Sequence, residues 1–159
     1  MTHPIDVTTP SDREIRVTRV FDAPRSLIFD CHTKPDLVRR WLLGPPGWSM
    51  PVCEIDLRVG GQYRYVWRND VDGREFSIGG EYREVVPPER IVHTERYEGD
   101  EGGEGGEALS TLTGRAAVAG IRRLPHAGQA PSASSPLCLL FALATQRGAE
   151  SMVCRRMRL

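Results

Sequence analysis

The chain has 159 residues, of which 40% are apolar and 26% charged, and its 21 basic residues balance its 21 acidic ones. This length suits one compact domain with a sizeable core, and the neutral balance gives no general attraction to nucleic acid. The four cysteines and four histidines are scattered without metal-ligand spacing, so we expect neither a metal nor another cofactor.

Two stretches bear on the cellular compartment. The opening MTHPIDVTTPSDRE has neither the basic start nor the apolar centre of a secretory signal. The longest apolar run, PLCLLFALA, is about half the length of a membrane-spanning helix, which needs about 20 residues. We therefore predict a cytoplasmic protein that does not enter a membrane, either a monomer or a homodimer.

The first elements are predicted to be a strand and two short helices. Residues 1–12 are polar and contain two prolines, which predicts a disordered lead. Residues 13–21 alternate apolar and charged side chains, as in a half-buried strand. Pro24 suits the first turn of one helix, and Thr33 is placed to cap a second helix that contains Trp41.

From residue 48 onward the sequence predicts about fifty residues of antiparallel strands, because apolar and polar residues alternate between turn signals. Asp72-Gly73 is a strong hairpin signal, since both residues tolerate positive φ. Pro87-Pro88 predicts a second turn. The result is a meander of consecutive antiparallel strands.

A row of aromatic rings occupies one side of a predicted strand in this meander. In the stretch QYRYVWR, Tyr63, Tyr65 and Trp67 alternate with polar residues, and successive side chains of a strand point to opposite faces. Such rings either fill a core or line an apolar ligand cavity, because both environments favour large apolar surfaces. Both interpretations stay open at this point.

Three segments carry a resemblance to a known family: RVFDAPRSLIFDCHTKPDLVRRWL, DLRVGGQYRYVWR and GGEYREVVPPERIVHT. With these segments, the order of elements resembles the helix-grip fold of the START-like (SRPBCC) superfamily, which includes polyketide cyclase-like domains. Within it, the chain is similar to the family of homologues of the activator of heat-shock-protein-90 ATPase. This resemblance implies an α+β fold in which an antiparallel sheet wraps around a C-terminal helix, with an apolar cavity between sheet and helix.

The resemblance also implies where a ligand would lie. The candidate cavity residues are Trp41, Tyr63, Tyr65, Trp67, Phe76, Tyr82 and His93. His93 and Gln62 would supply polar groups that orient a ligand. We identify no catalytic residue, because the chain has no nucleophile elbow, phosphate loop or HExxH motif.

Three functions follow from this resemblance. The first is binding of a small hydrophobic or amphipathic ligand, with a role in stress responses. The second is an interaction that activates the ATPase of a chaperone. The third is an enzyme of the cyclase or aromatase kind, which would need acid and base groups in the cavity. Fold alone does not choose among them.

The C-terminal part departs from the family. Up to Thr113 the chain has 14 basic and 20 acidic residues, and after it seven basic and one acidic. We therefore divide the chain into the lead, a helix-grip domain of residues 13–113 and an atypical, partly disordered segment of residues 114–159 with a helix at 136–147. A reading-frame shift near Thr113 and a genuine divergent tail are two explanations for the change.

Overall fold

The computed structural model describes residues 5–99, 107–115 and 118–125, with side chains as far as residue 114. The elements in chain order are β1 (Ile5–Ser11), β2 (Glu14–Val20), α1 (Arg25–Thr33), α2 (Pro35–Trp41), β3 (Trp48–Ile55), β4 (Gln62–Asn69), β5 (Glu75–Val86), β6 (Arg90–Gly99), β7 (Ala108–Arg115) and β8 (Val118–Pro125).

The strands form one antiparallel sheet in the order β1-β2-β8-β7-β6-β5-β4-β3. Each of β3 to β7 pairs with the next strand along the chain, so the predicted meander is present in β3 to β6 and continues through β8. The turn between β4 and β5 contains Gly73 with φ +75°, in keeping with the predicted hairpin. The α+β class, with an antiparallel sheet and two short helices after the first predicted strand, is confirmed.

The N-terminal segment corrects one prediction. Residues 5–11, which we expected to be disordered, form β1 and pair with β2, with Val7 opposite Val17. β-branched residues at positions 5, 7, 8 and 9 favour extended backbone. The exposed edge of β2 offers them backbone hydrogen bonds, and this pairing outweighs the polar composition. Residues 1–4 lie outside the described part of the chain.

The sheet also continues beyond Thr113. β8 pairs with β7 on one side and with β2 on the other, although its second half falls in a stretch where we saw no strand alternation. Its backbone groups find partners in two ladders, and this compensates for the missing side-chain pattern. The predicted helix at 136–147 lies outside the described residues, so both explanations of the C-terminal change stay open.

The two helices begin differently from one another. The carbonyl of Pro24 accepts the N–H groups of Leu27 and Ile28 at the start of α1. Our prediction that Thr33 caps α2 is wrong, because Thr33 Oγ1 donates to the carbonyl of Phe29 at 2.8 Å within α1. α2 instead begins with Pro35, whose missing N–H leaves one donor fewer to satisfy.

β5 contains two adjacent glycines, Gly79 and Gly80, where it approaches β6 closely. Here the N–H of Glu81 donates to Thr94 Oγ1 at 3.0 Å. A Cβ at position 80 would overlap the Thr94 carbonyl oxygen, so only glycine permits this approach of β5 to β6. The register of β5 against β6 shifts between Tyr82 and Glu84, two residues further along the chain. Glycine kinks and bulges are the features that curve a sheet.

One face of the sheet carries the core, and we call it the inner face. It is the face of Tyr63, Tyr65 and Trp67, and the helices pack on it through Phe29, Val38, Trp41 and Leu42. The indole N–H of Trp41 donates to the carbonyl of Cys31 at 2.8 Å, which joins α2 to α1. The opposite side of the sheet, which we call the outer face, carries Gln62, Arg64 and Arg68.

Candidate functional site

Strand register gathers the predicted cavity residues on the inner face. Tyr65 lies opposite Ile78, and Trp67 lies opposite Phe76 on the neighbouring strand. Tyr82 lies opposite His93 one strand further on. Residues paired in this way share a face, so the structure brings together six of the seven predicted residues on the sheet, and α2 adds Trp41 to the same core cluster.

The end of the ring row near α2 is closely packed. Trp67 has 0% exposed surface, and its ring stacks on Phe76 with centroids 4.9 Å apart. Its indole N–H donates to the carbonyl of Leu42 at 3.2 Å, which fixes the ring against the end of α2. Trp67 therefore fills the core, and we leave it out of the ligand site that we propose.

The other end of the row combines rings with polar atoms. The Tyr63 and His93 rings meet edge-on with centroids 5.1 Å apart, and the Tyr82 and His93 rings lie 5.9 Å apart. The Tyr63 hydroxyl donates to the carbonyl of Thr94 at 3.0 Å. Tyr65, between Tyr63 and Trp67, keeps part of its surface exposed. This end thus offers both apolar contact area and hydrogen-bonding groups.

Burial changes the acidity of two phenols here. Burial raises the pKa of Tyr65 well above the ordinary tyrosine value, and the neighbouring Tyr82 raises it further. Burial likewise raises the pKa of Tyr82, against a smaller lowering by its hydrogen bond with Tyr65. Both hydroxyls therefore stay protonated at neutral pH and act as neutral hydrogen-bonding groups.

Two polar residues of the inner face were not among our predicted site residues. Glu95 is 8% exposed and Ser110 is 2% exposed. Ser110 Oγ donates to Glu95 Oε2 at 3.1 Å, and His93 Nε2 lies 4.0 Å from the same oxygen. The alternation of β6 places Glu95 on the face of His93, but Ser110 comes from β7, and only strand pairing reveals that contact.

Gln62 does not belong to this site. It is exposed on the outer face, where it lines a groove of about 380 Å³ together with Arg64, Arg96, Glu54 and other charged residues. Our prediction that Gln62 orients a ligand of the inner face is therefore wrong, because residue 62 is one position out of phase with the rings. The charged lining of this groove suits no apolar ligand.

The described residues limit the chemistry further. Within ranges 5–99, 107–115 and 118–125, no three His, Cys, Asp or Glu residues cluster as metal ligands would. In the part of the chain that the structure describes, no helix is both long and apolar enough to cross a membrane. The inner face offers aromatic contact area, phenolic hydroxyls and the His93–Glu95 pair.

Fold and site together define a helix-grip domain of the START-like class with an aromatic inner face. The sequence model of the family described as "Activator of Hsp90 ATPase homolog 1-like protein" matches residues 22–117. Because this match spans more than half of the chain, the protein belongs to that family. The comparison with curated proteins finds no match.

Solved structures agree with this assignment. A Rhodobacter sphaeroides protein is similar at 26% identity with a TM-score of 0.77, over 93% of this chain and 97% of its own. A Chromobacterium violaceum protein shares 29% identity with a TM-score of 0.71, over 90% of this chain and 98% of its own. A Silicibacter pomeroyi protein named AHSA1, at 18% identity and a TM-score of 0.67, covers 87% and 96% and supports the fold alone.

Proposed function

We propose that the protein binds a small hydrophobic or amphipathic molecule against the inner face of its sheet. The observation that carries this proposal is the partly exposed Tyr65 between the buried rings of Tyr63 and Trp67. A rigid ring that keeps open surface within an aromatic row offers contact area at low entropic cost.

The division of the row supports this function. At the α2 end the rings of Trp67 and Phe76 stack on one another, and Trp67 has no exposed surface that a ligand could contact. At the other end Tyr65, Tyr82 and His93 combine apolar surface with hydrogen-bonding atoms. Ligand sites commonly have this composition, mostly apolar with a few placed polar groups.

Fluorescence titration with a hydrophobic dye, such as anilinonaphthalene sulfonate, tests the proposal. We expect saturable binding at one site of the folded protein, weakened about twofold to tenfold in Tyr65→Ala, because an aromatic contact contributes about 0.5–1.5 kcal/mol. Arg68→Ala is the matched control, since Arg68 lies on the outer face of the same strand. Non-saturable binding, or equal weakening by both substitutions, would contradict the proposal.

We further propose that the protein acts in the cytoplasm. Among the described residues Cys53 is a buried free thiol, which suits a reducing compartment. Localisation of a fluorescent fusion, compared with a secreted reference protein, tests this. A role in stress responses rests on the family resemblance alone, and loss of heat tolerance on gene deletion is its test.

A second candidate function is activation of a chaperone ATPase, and the observation that favours it is the match to the family of Activator of Hsp90 ATPase homologues. The measurement is the ATPase rate of a purified Hsp90 homologue with and without the protein. A stimulated rate in a protein that binds no dye saturably would favour this interaction over ligand binding. An unchanged ATPase rate would contradict this second function.

A further inference from the structure

The groove on the outer face is separate from the inner-face site, and we call it the outer groove. Its volume of about 380 Å³ lies within the range of small-molecule sites, about 300–1,000 Å³. The charged residues that line it are Arg64, Arg83, Arg96, Glu54, Glu81, Glu98 and Glu107. A groove with this lining is suited to a small charged molecule.

Strand register places two of these arginines on either side of a glycine. Arg64 of β4 lies opposite Gly79 of β5, and Gly79 lies opposite Arg96 of β6. We call these three residues the arginine row. Neighbouring strands are about 4.8 Å apart, so the Cα atoms of the two arginines are roughly 10 Å apart. Because glycine has no side chain, the space between the two arginine side chains is open down to the backbone of β5.

The charged groups of the outer groove differ in their partners. Glu81 accepts a hydrogen bond from Arg83 at 2.9 Å, and Glu98 accepts one from a serine. Within the described part of the chain, the guanidinium groups of Arg64 and Arg96 have neither a hydrogen bond nor a carboxylate within 4.0 Å. The arginine row therefore presents two sets of donors that are available to a ligand.

The arginine row matches the geometry of one oxyanion. A guanidinium group is a planar fork of N–H donors that fits the two oxygens of a carboxylate. A carboxylate above Gly79 would accept hydrogen bonds of about 2.8 Å from both sides. Like charges in one row across a sheet also destabilise one another. An anion between Arg64 and Arg96 offsets that repulsion, which water alone does not do.

The glutamates of the outer groove limit the charge of the ligand. They outnumber the arginines four to three in the lining, so the groove as a whole does not attract a polyanion. Glu54 lies directly opposite Arg64 on β3, and a second negative charge on the ligand would be repelled by it. A single carboxylate fits this surrounding better than a phosphate dianion or a nucleic-acid strand.

We propose that the outer groove binds the carboxylate group of a small molecule, with the carboxylate above Gly79 between Arg64 and Arg96. Gln62 and Thr94 also line the groove and offer neutral hydrogen-bonding groups to the rest of the ligand. This site is independent of the proposed inner-face function, because the sheet itself separates the two faces.

Nuclear magnetic resonance titration of the full chain with benzoate tests the proposal. The signals to follow are the Nε–H groups of Arg64 and Arg96 and the backbone amide of Gly79. We expect these signals to shift saturably with benzoate. Benzamide has the same shape without the charge, and we expect it to bind here at least about tenfold more weakly, because its amide cannot form charge-assisted hydrogen bonds with both arginines.

Two variants locate the site. Arg64→Gln and Arg96→Gln each keep a long polar side chain but remove a guanidinium group. We expect each to weaken benzoate binding about tenfold, which equals about 1.4 kcal/mol and is the size of one hydrogen bond to a charged group. Arg68→Gln is the matched control, because Arg68 lies on the outer face of β4 outside the groove and pairs with Glu75 at 2.7 Å. Thermal unfolding confirms that each variant is folded.

Several outcomes would overturn the carboxylate site. One is a benzoate titration that does not saturate, and another is equal binding of benzamide at the same signals. A third is equal weakening by Arg68→Gln. Phenyl phosphate and a short single-stranded DNA provide the last comparison. If either shifts the arginine signals at lower concentration than benzoate does, the groove prefers phosphate, and the proposal fails. None of these results changes the outcome of the dye titration, which reports on the inner face.

Discussion

The two faces of this sheet use similar residues in different ways. Each face has a serine that donates to a glutamate across neighbouring strands, Ser110 to Glu95 on the inner face and Ser77 to Glu98 on the outer face. Glu95 is buried, whereas Glu98 is exposed. Water can replace a lost partner of Glu98 but has poor access to Glu95. The serine–glutamate hydrogen bond of the inner face therefore contributes more to the free energy of unfolding than that of the outer face.

Ring and arginine positions show the same contrast. On β4 the inner residues Tyr63, Tyr65 and Trp67 contact other rings, while Arg68 of the outer face pairs with Glu75 at 2.7 Å in solvent. Exposed ion pairs contribute little to stability, with a median of about 0–1 kcal/mol. The difference indicates that the stabilising contacts of β4 are concentrated on the inner face.

The largest expected difference between the two faces is between substitutions at two adjacent residues of β4. We expect Trp67→Ala to lower the free energy of unfolding by about 3–5 kcal/mol, because it leaves a large cavity at a fully buried site. Arg68→Ala should lower it by less than about 1 kcal/mol. Urea unfolding measures both, and similar losses would show that the faces do not differ in this way.

The two glycines of β5 provide the next test. Gly80→Ala should lower the free energy of unfolding by about 2–3 kcal/mol, because its Cβ would overlap the Thr94 carbonyl. Gly79→Ala should lower it by less than about 1 kcal/mol, since its Cβ would lie 3.0 Å from the Tyr63 carbonyl oxygen and a small shift relieves that contact. A larger loss in urea unfolding for Gly79→Ala than for Gly80→Ala would contradict the close approach of β5 to β6 at Gly80.

The two serine–glutamate pairs allow a closer comparison. Ser110→Ala should lower the free energy of unfolding by about 1–2 kcal/mol, because buried Glu95 loses a donor. Ser77→Ala should lower it by about half as much, because Glu98 can bind water instead. Equal losses in urea unfolding would mean that the exposure of the glutamate does not decide the energy.

The last prediction concerns how the free energy of unfolding depends on alkaline pH. Folding holds the pKa of Tyr65 and Tyr82 above the ordinary value. The stability that these two neutral phenols contribute is therefore complete below about pH 10 and is lost as the pH rises above it. Tyr65→Phe should reduce the alkaline loss of unfolding free energy by up to about 1.4 kcal/mol per pH unit above pH 10. An unchanged pH dependence of urea unfolding would exclude this effect.

Much of the fold could be predicted from local patterns. Alternation along β4 and the Asp72-Gly73 turn are properties of short segments, and both appear in the structure. β8 could not be predicted in this way, because one of its two partners, β2, comes from a distant part of the chain. β1 pairs with the adjacent β2, and its polar composition concealed this strand. Non-local hydrogen bonds can support a strand whose own sequence is a weak strand former.

The candidate site was predictable to a similar extent. Alternation correctly placed the rings of residues 63, 65 and 67 on one face. It could not show that the Trp67 indole N–H donates to the carbonyl of Leu42, which fixes this ring in the core. Ser110 was missed because its contact with Glu95 depends on the register of β7 against β6. Such register is set by the whole sheet and not by either strand alone.

The strict alternation of β4 makes its length more critical than its composition. Deleting one residue within Gln62–Asn69 would turn the charged side chains of the strand beyond that point toward the helices and the rings toward water. Compensating substitutions at single positions could not restore such a strand. Variation in this part of the molecule is therefore constrained to replacements that conserve residue number.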